Sequence, residues 1–143
     1  LYSESLLETV AYGLKDLGLK GALVVYGEDC LDEISMSAPT KVYELIDGEI
    51  TSYEITPEQY GFTRCSKEEL VGGTPEENAQ LVRDILSGRE TGAKRDAVLF
   101  NAGAAIHIVK GVSIEEGIKQ ARETIENGTA YSKLCEFIEA TNS

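Results

Sequence analysis

The sequence predicts an α/β fold, and two patterns early in the chain carry that prediction. Residues 6–17 place leucine and valine at helical spacing, and Gly18 follows as a suitable end for a helix. Residues 22–26 form a short apolar run that is typical of a strand buried on both faces, as in parallel sheets. A helix followed by a buried strand is half of an α/β repeat.

An antiparallel hairpin is predicted downstream of that strand. Apolar and polar side chains alternate between residues 41 and 55, on both sides of Asp47 and Gly48. An Asp-Gly pair between two strands favours a tight hairpin, because both positions tolerate positive φ angles. We therefore expect a hairpin inserted into an otherwise α/β chain.

Helices are predicted for most of the remaining chain from the residue types at their ends. Ser5 with Glu8 matches a capping box at the start of the first helix, and Ser113 with Glu116 indicates the start of another. Thr74, followed by a proline and two glutamates, predicts a further helix start. The helices expected after the hairpin cover residues 74–86, the apolar and alanine-rich residues 96–109, residues 113–127 and residues 130–139.

The predicted strands are too few for a sheet of ordinary size. One buried strand and one hairpin give three strands, whereas sheets commonly have about five or six. The sequence therefore predicts partner strands that it does not itself contain. The chain also begins at Leu1 and reaches a helix within a few residues, which favours a piece of a longer protein.

The charge balance limits which ligands the protein can attract. Twenty-five acidic residues against 13 basic ones give a net charge of -12. Such a surface repels a phosphate backbone and an anionic membrane, so nucleic-acid binding and membrane-surface binding are disfavoured. An anionic substrate would need a metal cation or locally placed basic groups.

The cysteines and the hydropathy pattern predict a cytoplasmic, soluble protein. Cys30, Cys65 and Cys135 are scattered without a CxxC pair, which indicates free thiols in a reducing compartment. The sequence shows no signal peptide pattern, and no apolar run reaches the length needed to cross a bilayer.

An acidic loop directly after the first strand is the leading candidate site. Residues 27–33 contain four carboxylates, Glu28, Asp29, Asp32 and Glu33. Ligands of open α/β sheets bind beyond the carboxyl ends of strands, and Mg²⁺ prefers carboxylate oxygens together with substrate phosphates and water. The spacing alone favours a solvated acidic loop and leaves metal binding open.

Other candidate residues are weaker, and no catalytic residue can be assigned from the pattern. His107 lies in an apolar helical stretch without an acid or cysteine at ligand spacing, so a packed or surface histidine is expected. Residues 72–73 lack both common glycine-rich nucleotide motifs, which favours a simple loop. Lys94 and Arg95 fit either phosphate contacts or an ion pair with Asp96.

Residues 23–34, LVVYGEDCLDEI, resemble the valine-valine-histidine-glycine and leucine-aspartate-glutamate motif of anthranilate phosphoribosyltransferases. The similarity continues through almost the whole chain and is more specific than any single motif. The further matching segments are residues 2–3, 38–40, the hairpin at residues 42–48, residues 55–58 with Gly61, residues 72–73, residues 77–79 and residues 92–102.

The resemblance implies that residues 1–143 are the C-terminal portion of a larger α/β domain. That domain has a fold like those of nucleoside phosphorylases and phosphoribosyltransferases, here with an inserted antiparallel hairpin and several C-terminal helices. Members of the family also have a small helical domain and a glycine-rich phosphoribosyl-pyrophosphate loop, both of which would lie upstream of this chain. They are usually homodimers.

The same resemblance implies an activity and a metal site. The family transfers the phosphoribosyl group of phosphoribosyl pyrophosphate to anthranilate in tryptophan biosynthesis, with Mg²⁺ countering the charge of the pyrophosphate. Carried over by position, Asp32 and Glu33 are the Mg²⁺ ligands. Tyr26 replaces a histidine common in the family and Cys30 replaces a glycine, which changes the backbone angles that the loop tolerates.

The isolated chain is expected to be inactive, because the substrate-binding loops of the family are absent from it. A fragment of a pyrimidine nucleoside phosphorylase is the alternative enzyme assignment. A non-catalytic association module is the alternative outside enzymes, since the predicted sheet leaves an uncovered edge.

Overall fold

The computed structural model describes residues 1–142 as three strands and five α-helices, joined by short 3-10 turns. The strands are β1 (Gly21–Gly27), β2 (Thr40–Ile46) and β3 (Glu49–Ile55). The helices are α1 (Leu7–Asp16), α2 (Pro75–Leu86), α3 (Ala93–Lys110), α4 (Ile114–Glu126) and α5 (Thr129–Thr141). The mixed α/β class predicted from the sequence is confirmed.

The three strands form one antiparallel sheet in the order β1-β2-β3. The predicted hairpin is the β2–β3 pair, with Ile46 opposite Glu49 across the turn. Asp47 and Gly48 both adopt positive φ angles, 47° and 88°, which is the turn geometry that an Asp-Gly pair favours.

The sequence predicts that β1 has partner strands outside this chain, and the neighbour of β1 within residues 1–142 is the hairpin. There β1 pairs along its whole length with β2, in the antiparallel direction. Its apolar run has another cause: helices cover both faces of the strand. Val24 packs with Leu7 and Ala11 of α1, while Leu23 and Val25 pack against the core that contains α3. Within the described residues, two helices account for burial on both faces of β1.

Helix starts follow the predicted chemistry at two of the three expected sites. Thr74 accepts a hydrogen bond from the backbone N–H of Glu77, whose side chain in turn accepts one from the N–H of Thr74. Ser113 caps α4 by accepting from the N–H of Glu116 at 3.2 Å. The capping box predicted at Ser5 is wrong, because Ser5 lies inside a 3-10 turn (Glu4–Leu6) and its hydroxyl contacts that of Ser3.

The helical half of the protein is built around α3. Phe100, fully buried, contacts the rings of Tyr60 and Phe62 with centroids 4.9 and 5.5 Å away. α4 crosses α3 at two facing glycines, Gly103 and Gly117, which let the two backbones approach closely. Among the described residues no single helix has the length and apolar content to cross a membrane. Only α3 and α4 taken together have that length and composition, and the pair is bent by 114°.

Candidate metal site

The acidic loop lies where the sequence placed it, between the end of β1 and the start of β2. It opens with a tight turn in which the N–H of Cys30 donates to the carbonyl of Gly27 at 2.8 Å. The N–H of Gly27 donates to the carbonyl of Leu31 at 2.9 Å, so the chain folds back on the strand end. This turn brings Asp32 and Glu33 to the surface, where both are exposed.

Asp29 anchors the loop from within, because its carboxylate is bonded to other residues of the same loop. Its carboxylate accepts hydrogen bonds from the hydroxyls of Ser35, at 2.8 Å, and Ser37, and a longer one from the N–H of Leu31. Burial acts to raise the pKa of Asp29, but the hydrogen bonds from Ser37 and Ser35 outweigh it, so the pKa is lowered. The carboxylate is thus held in its charged form by neighbours in the same loop.

Asp32 and Glu33 are close enough to interact directly. Interaction with the Glu33 carboxyl lowers the pKa of Asp32, whereas partial burial, followed by interaction with Asp32, raises the pKa of Glu33. The remaining acid of the loop, Glu28, faces Lys41 at 3.7 Å. Asp32 and Glu33 are therefore the two carboxylates of the loop that are not committed to serine hydroxyls or to a lysine.

This donor set fits Mg²⁺ better than a metal held entirely by protein ligands. Within residues 1–142 no group of three or more histidine, cysteine, aspartate or glutamate side chains could hold a metal ion. Mg²⁺ commonly takes only one or two carboxylates and completes its octahedron with water and substrate phosphates. The pair of Asp32 and Glu33 meets that requirement.

Basic groups approach the loop from two directions. The ammonium group of Lys67 donates to the backbone carbonyl of Asp29 at 2.6 Å, a contact that the sequence did not indicate. Lys94 lies with Glu33 and Asn78 on the wall of a mostly apolar groove of about 340 Å³ between α2, α3 and the loop. Arg95 lies 3.8 Å from Glu126, which is its ion pair among the described residues, while Asp96 is close enough to Arg95 for the positive charge to act on its pKa.

Asn101 is a second anchor of the loop that the sequence analysis missed. Its side-chain amide, on α3, hydrogen-bonds to both backbone polar groups of Ile34, the residue directly after Glu33. One signal was visible: an asparagine inside the apolar stretch 96–109 is a polar group that needs a partner when buried. The partner itself lies 67 residues away and could not be read from local pattern.

His107 is a structural residue, as its sequence context predicted. One ring nitrogen, Nε2, contacts the carboxylate of Glu44 on β2, and the other, Nδ1, contacts the carbonyl of Val112. Burial acts to lower the pKa of His107, but the hydrogen bonds to Glu44 and to the Val112 carbonyl outweigh it and raise the pKa. The histidine ties the hairpin to the end of α3, far in sequence from the acidic loop.

The two departures from the family motif lie against each other. The hydroxyl of Tyr26 is 3.7 Å from the sulfur of Cys30, and Cys30 adopts a positive φ of 68°. A positive φ is the conformation in which glycine has no steric penalty. The positive φ of this turn explains why the motif has a glycine at this position. This chain keeps the same backbone conformation with a cysteine there.

The comparisons with known proteins place the chain among relatives of known family. Residues 1–131 match the family described as "Glycosyl transferase family, a/b domain". An anthranilate phosphoribosyltransferase from Methanobrevibacter smithii is 51% identical over 100% of this chain and 43% of its own length. The crystal structure of anthranilate phosphoribosyltransferase from Thermus thermophilus is 37% identical with a TM-score of 0.88, covering 99% of this chain and 42% of that one.

A more distant structure is the anthranilate phosphoribosyltransferase from Saccharomyces cerevisiae in complex with phosphoribosyl pyrophosphate and Mg. It is 25% identical with a TM-score of 0.89 and covers 99% of this chain and 41% of that one. This chain thus spans about two fifths of the length of the relatives it matches. By the match over residues 1–131, the chain belongs to the glycosyl transferase family of α/β domains, and its curated relatives are anthranilate phosphoribosyltransferases.

Proposed function

We propose that this chain is the C-terminal portion of an anthranilate phosphoribosyltransferase and that it supplies the Mg²⁺ ligands Asp32 and Glu33. The observation that carries the proposal is the pair of exposed, uncommitted carboxylates at the end of β1. The pair lies in a chain that is 51% identical to a named member of that enzyme group. The yeast relative solved with phosphoribosyl pyrophosphate and Mg supports both the substrate and the metal.

The reaction breaks the bond between the anomeric carbon of phosphoribosyl pyrophosphate and its pyrophosphate oxygen. The amine nitrogen of anthranilate forms the new bond to that carbon and loses a proton, and pyrophosphate leaves with the electron pair of the broken bond. When bound, Mg²⁺ neutralises charge on the departing pyrophosphate. The chain contributes the side chains of Asp32 and Glu33 as oxygen donors and a loop that is anchored on both sides of them.

The charge of the protein is consistent with this role. A chain with a net charge of -12 repels an anionic substrate unless a cation lies between them. A divalent cation cancels the charge of two acidic ligands and keeps coordination positions that substrate phosphates can occupy. The same net charge disfavours nucleic acid and anionic membrane surfaces as partners, so the proposed partners are phosphoribosyl pyrophosphate and anthranilate.

The outer edge of β1 supports the proposal that residues 1–143 belong to a larger domain. Within residues 1–142 no strand pairs with that edge, although the backbone groups of alternate residues along β1 face away from β2. An apolar groove of about 340 Å³ runs beside the edge, with Ile108 and Val109 of α3 on its wall.

We infer that further strands of the parent protein pair with this edge and complete the sheet. The upstream helical domain and the phosphoribosyl-pyrophosphate loop of the family belong to the same proposal, as do a homodimeric parent and a cytoplasmic location. All three cysteines are free thiols, which suits a reducing compartment. Light scattering of the complete protein tests the dimer, and a monomer across a wide concentration range would contradict it.

Two activity measurements test the proposed function. The complete protein should release pyrophosphate from phosphoribosyl pyrophosphate only when anthranilate is present, whereas the isolated 143-residue chain should show no turnover. Phosphorolysis of a pyrimidine nucleoside by the complete protein, without activity on anthranilate, would instead assign it to the nucleoside phosphorylases. Turnover by the isolated chain would refute the claim that essential substrate-binding parts lie outside it.

A further inference from the structure

We propose that Asn101 is a positioning residue for the metal-binding pair, because its side chain fixes the backbone directly after Glu33. This inference rests on the proposed function, in which Asp32 and Glu33 bind Mg²⁺. Asn101 does not reach the metal itself in this assignment. It acts through Ile34 on the direction in which the loop presents its two carboxylates.

The contact is a two-bond clamp between a side chain and one residue's backbone. Oδ1 of Asn101 accepts from the N–H of Ile34 at 2.9 Å, and Nδ2 donates to the carbonyl of Ile34 at 3.0 Å. The second proton of Nδ2 is used by the carbonyl of Ala97, one turn earlier in α3, at 3.0 Å. The bond to Ala97 fixes the rotation of the amide, and the two bonds to Ile34 then fix the position of the loop.

Burial makes this clamp hard to replace. Ile34 is only 3% exposed and packs in the core that contains α3, so water has little access to replace a lost partner of its backbone groups. A buried N–H or carbonyl without a partner is unfavourable. When Asn101 is removed, the backbone at Ile34 is therefore expected to shift towards solvent or towards another partner, and Glu33 moves with it.

Asp29, which precedes Asp32 and Glu33 in the loop, provides a second set of contacts that hold the loop. Asp29 binds the hydroxyls of Ser35 and Ser37, and Lys67 holds the carbonyl of Asp29. Those contacts join the two ends of the loop to each other and do not reach α3. Packing of Ile34 brings the loop against α3, and the clamp from Asn101 adds directional hydrogen bonds from the helix to the loop backbone.

The clamp requires the chemistry of asparagine at this position. An aspartate has no donor for the carbonyls of Ile34 and Ala97, and a leucine of similar size has neither donor nor acceptor. A serine can still donate to the carbonyl of Ala97 in the preceding turn, but its side chain is too short to bond Ile34 at both groups. These differences allow the positioning effect to be separated from packing.

The test uses the complete transferase with Asn101→Ser and Asn101→Leu. Turnover is measured against Mg²⁺ concentration, which gives the half-saturating concentration separately from kcat, and Mn²⁺ binding without substrates is measured by electron paramagnetic resonance. Loss of a group that orients metal ligands typically weakens metal binding about 10- to 100-fold. We expect both variants to raise the half-saturating Mg²⁺ concentration and the Mn²⁺ dissociation constant at least about tenfold, with kcat largely recovered at high Mg²⁺.

Asn78 provides a matched control within the same chain. Its amide clamps the backbone of Gly73 in the same way, accepting from the N–H at 2.8 Å and donating to the carbonyl at 3.1 Å. Asn78 lines the same groove as Glu33, but its two bonds hold Gly73, and its side chain makes no hydrogen bond to residues 27–38 within the described part of the chain. Asn78→Ser should therefore leave both metal constants within about twofold of the unsubstituted protein, well below the range expected for Asn101.

The outcomes separate the inference from the proposed function. Unchanged metal constants in folded Asn101→Ser protein would overturn the inference, and this milder variant decides the question if Asn101→Leu does not fold. Asp32→Asn combined with Glu33→Gln is measured in parallel. If that pair changes the Mg²⁺ dependence and Asn101→Ser does not, only the positioning role fails; if neither changes it, the assignment of the metal ligands fails as well.

Discussion

The crossing of α3 and α4 gives the sharpest stability prediction. A glycine-to-alanine substitution should lower the free energy of unfolding at the crossing and raise it at Gly13 of α1, where there is space for a Cβ atom. A Cβ atom on Gly117 would lie 2.2 Å from the carbonyl oxygen of Gly103 and 3.2 Å from its Cα. A Cβ on Gly103 would lie 2.7 Å from the backbone nitrogen of Ile118. These neighbours are backbone atoms, so no side-chain rotation can relieve the overlap.

The magnitude for Gly117→Ala follows from that distance. Ordinary van der Waals contact begins near 3.4 Å, so a carbon placed at 2.2 Å forces α4 away from α3 by about 1 Å. Overpacking of a well-packed site costs roughly 1–3 kcal/mol, and the rigid backbone contact favours the upper end. Alanine is preferred over glycine in a helix by about 1 kcal/mol, which leaves a net loss of about 2 kcal/mol.

Equilibrium urea unfolding followed by circular dichroism measures this loss. With a slope of about 2 kcal/mol per molar urea, a net loss of that size lowers the midpoint by about 1 M. Gly13→Ala in α1 is the control, because nothing lies within 4 Å of a Cβ at Gly13. The control should raise stability by about 0.5–1 kcal/mol through helix propensity alone. A Gly117→Ala protein as stable as the unsubstituted one would refute the close-packing argument.

The remaining predictions concern pH and the turn at Cys30. The contacts of His107 with Glu44 and the Val112 carbonyl raise its pKa in the folded state above the ordinary value of 6.5, so their stabilisation is fully present below about pH 6.5 and is lost as pH rises through the folded pKa. His107→Gln should therefore cost more free energy of unfolding at about pH 6 than at about pH 9, and an equal cost under the two conditions would contradict the prediction. Cys30→Gly should stabilise the protein by about 0.5–1 kcal/mol, since a left-handed residue other than glycine costs roughly 1–2 kcal/mol and the flexibility of glycine offsets part of the gain. Cys30→Ala should give no such gain in the same urea experiment, and an equal gain from alanine would exclude backbone strain as the cause.

Features fixed by local chemistry were predictable from the sequence. The Asp47-Gly48 turn, the cap at Thr74 and the cap at Ser113 depend on residues within a few positions of each other, and all three are confirmed. The capping box at Ser5 failed although the pattern was correct. The hydroxyl of Ser5 bonds to that of Ser3 in a 3-10 turn and therefore does not cap the helix.

Features fixed by distant partners were not predictable in the same way. The apolar run of β1 indicated burial on both faces, but it did not reveal that α1 and α3 provide that burial around an antiparallel strand. The pattern likewise located Asp32 and Glu33 after the strand without showing what anchors them. The clamp from Asn101 spans 67 residues, and such a contact leaves no periodic signal in the sequence.

The most direct test of the account is the Mg²⁺ dependence of the complete protein when both proposed ligands are neutralised. Asp32→Asn with Glu33→Gln should sharply reduce anthranilate-dependent pyrophosphate release and raise the half-saturating Mg²⁺ concentration at least about tenfold. Glu28→Gln is the control, because that acid belongs to the same loop but faces Lys41. We expect a nearly unchanged Mg²⁺ titration for Glu28→Gln and a displaced one for the pair; a pair variant that titrates like the unsubstituted protein would contradict the assignment of Asp32 and Glu33 as metal ligands.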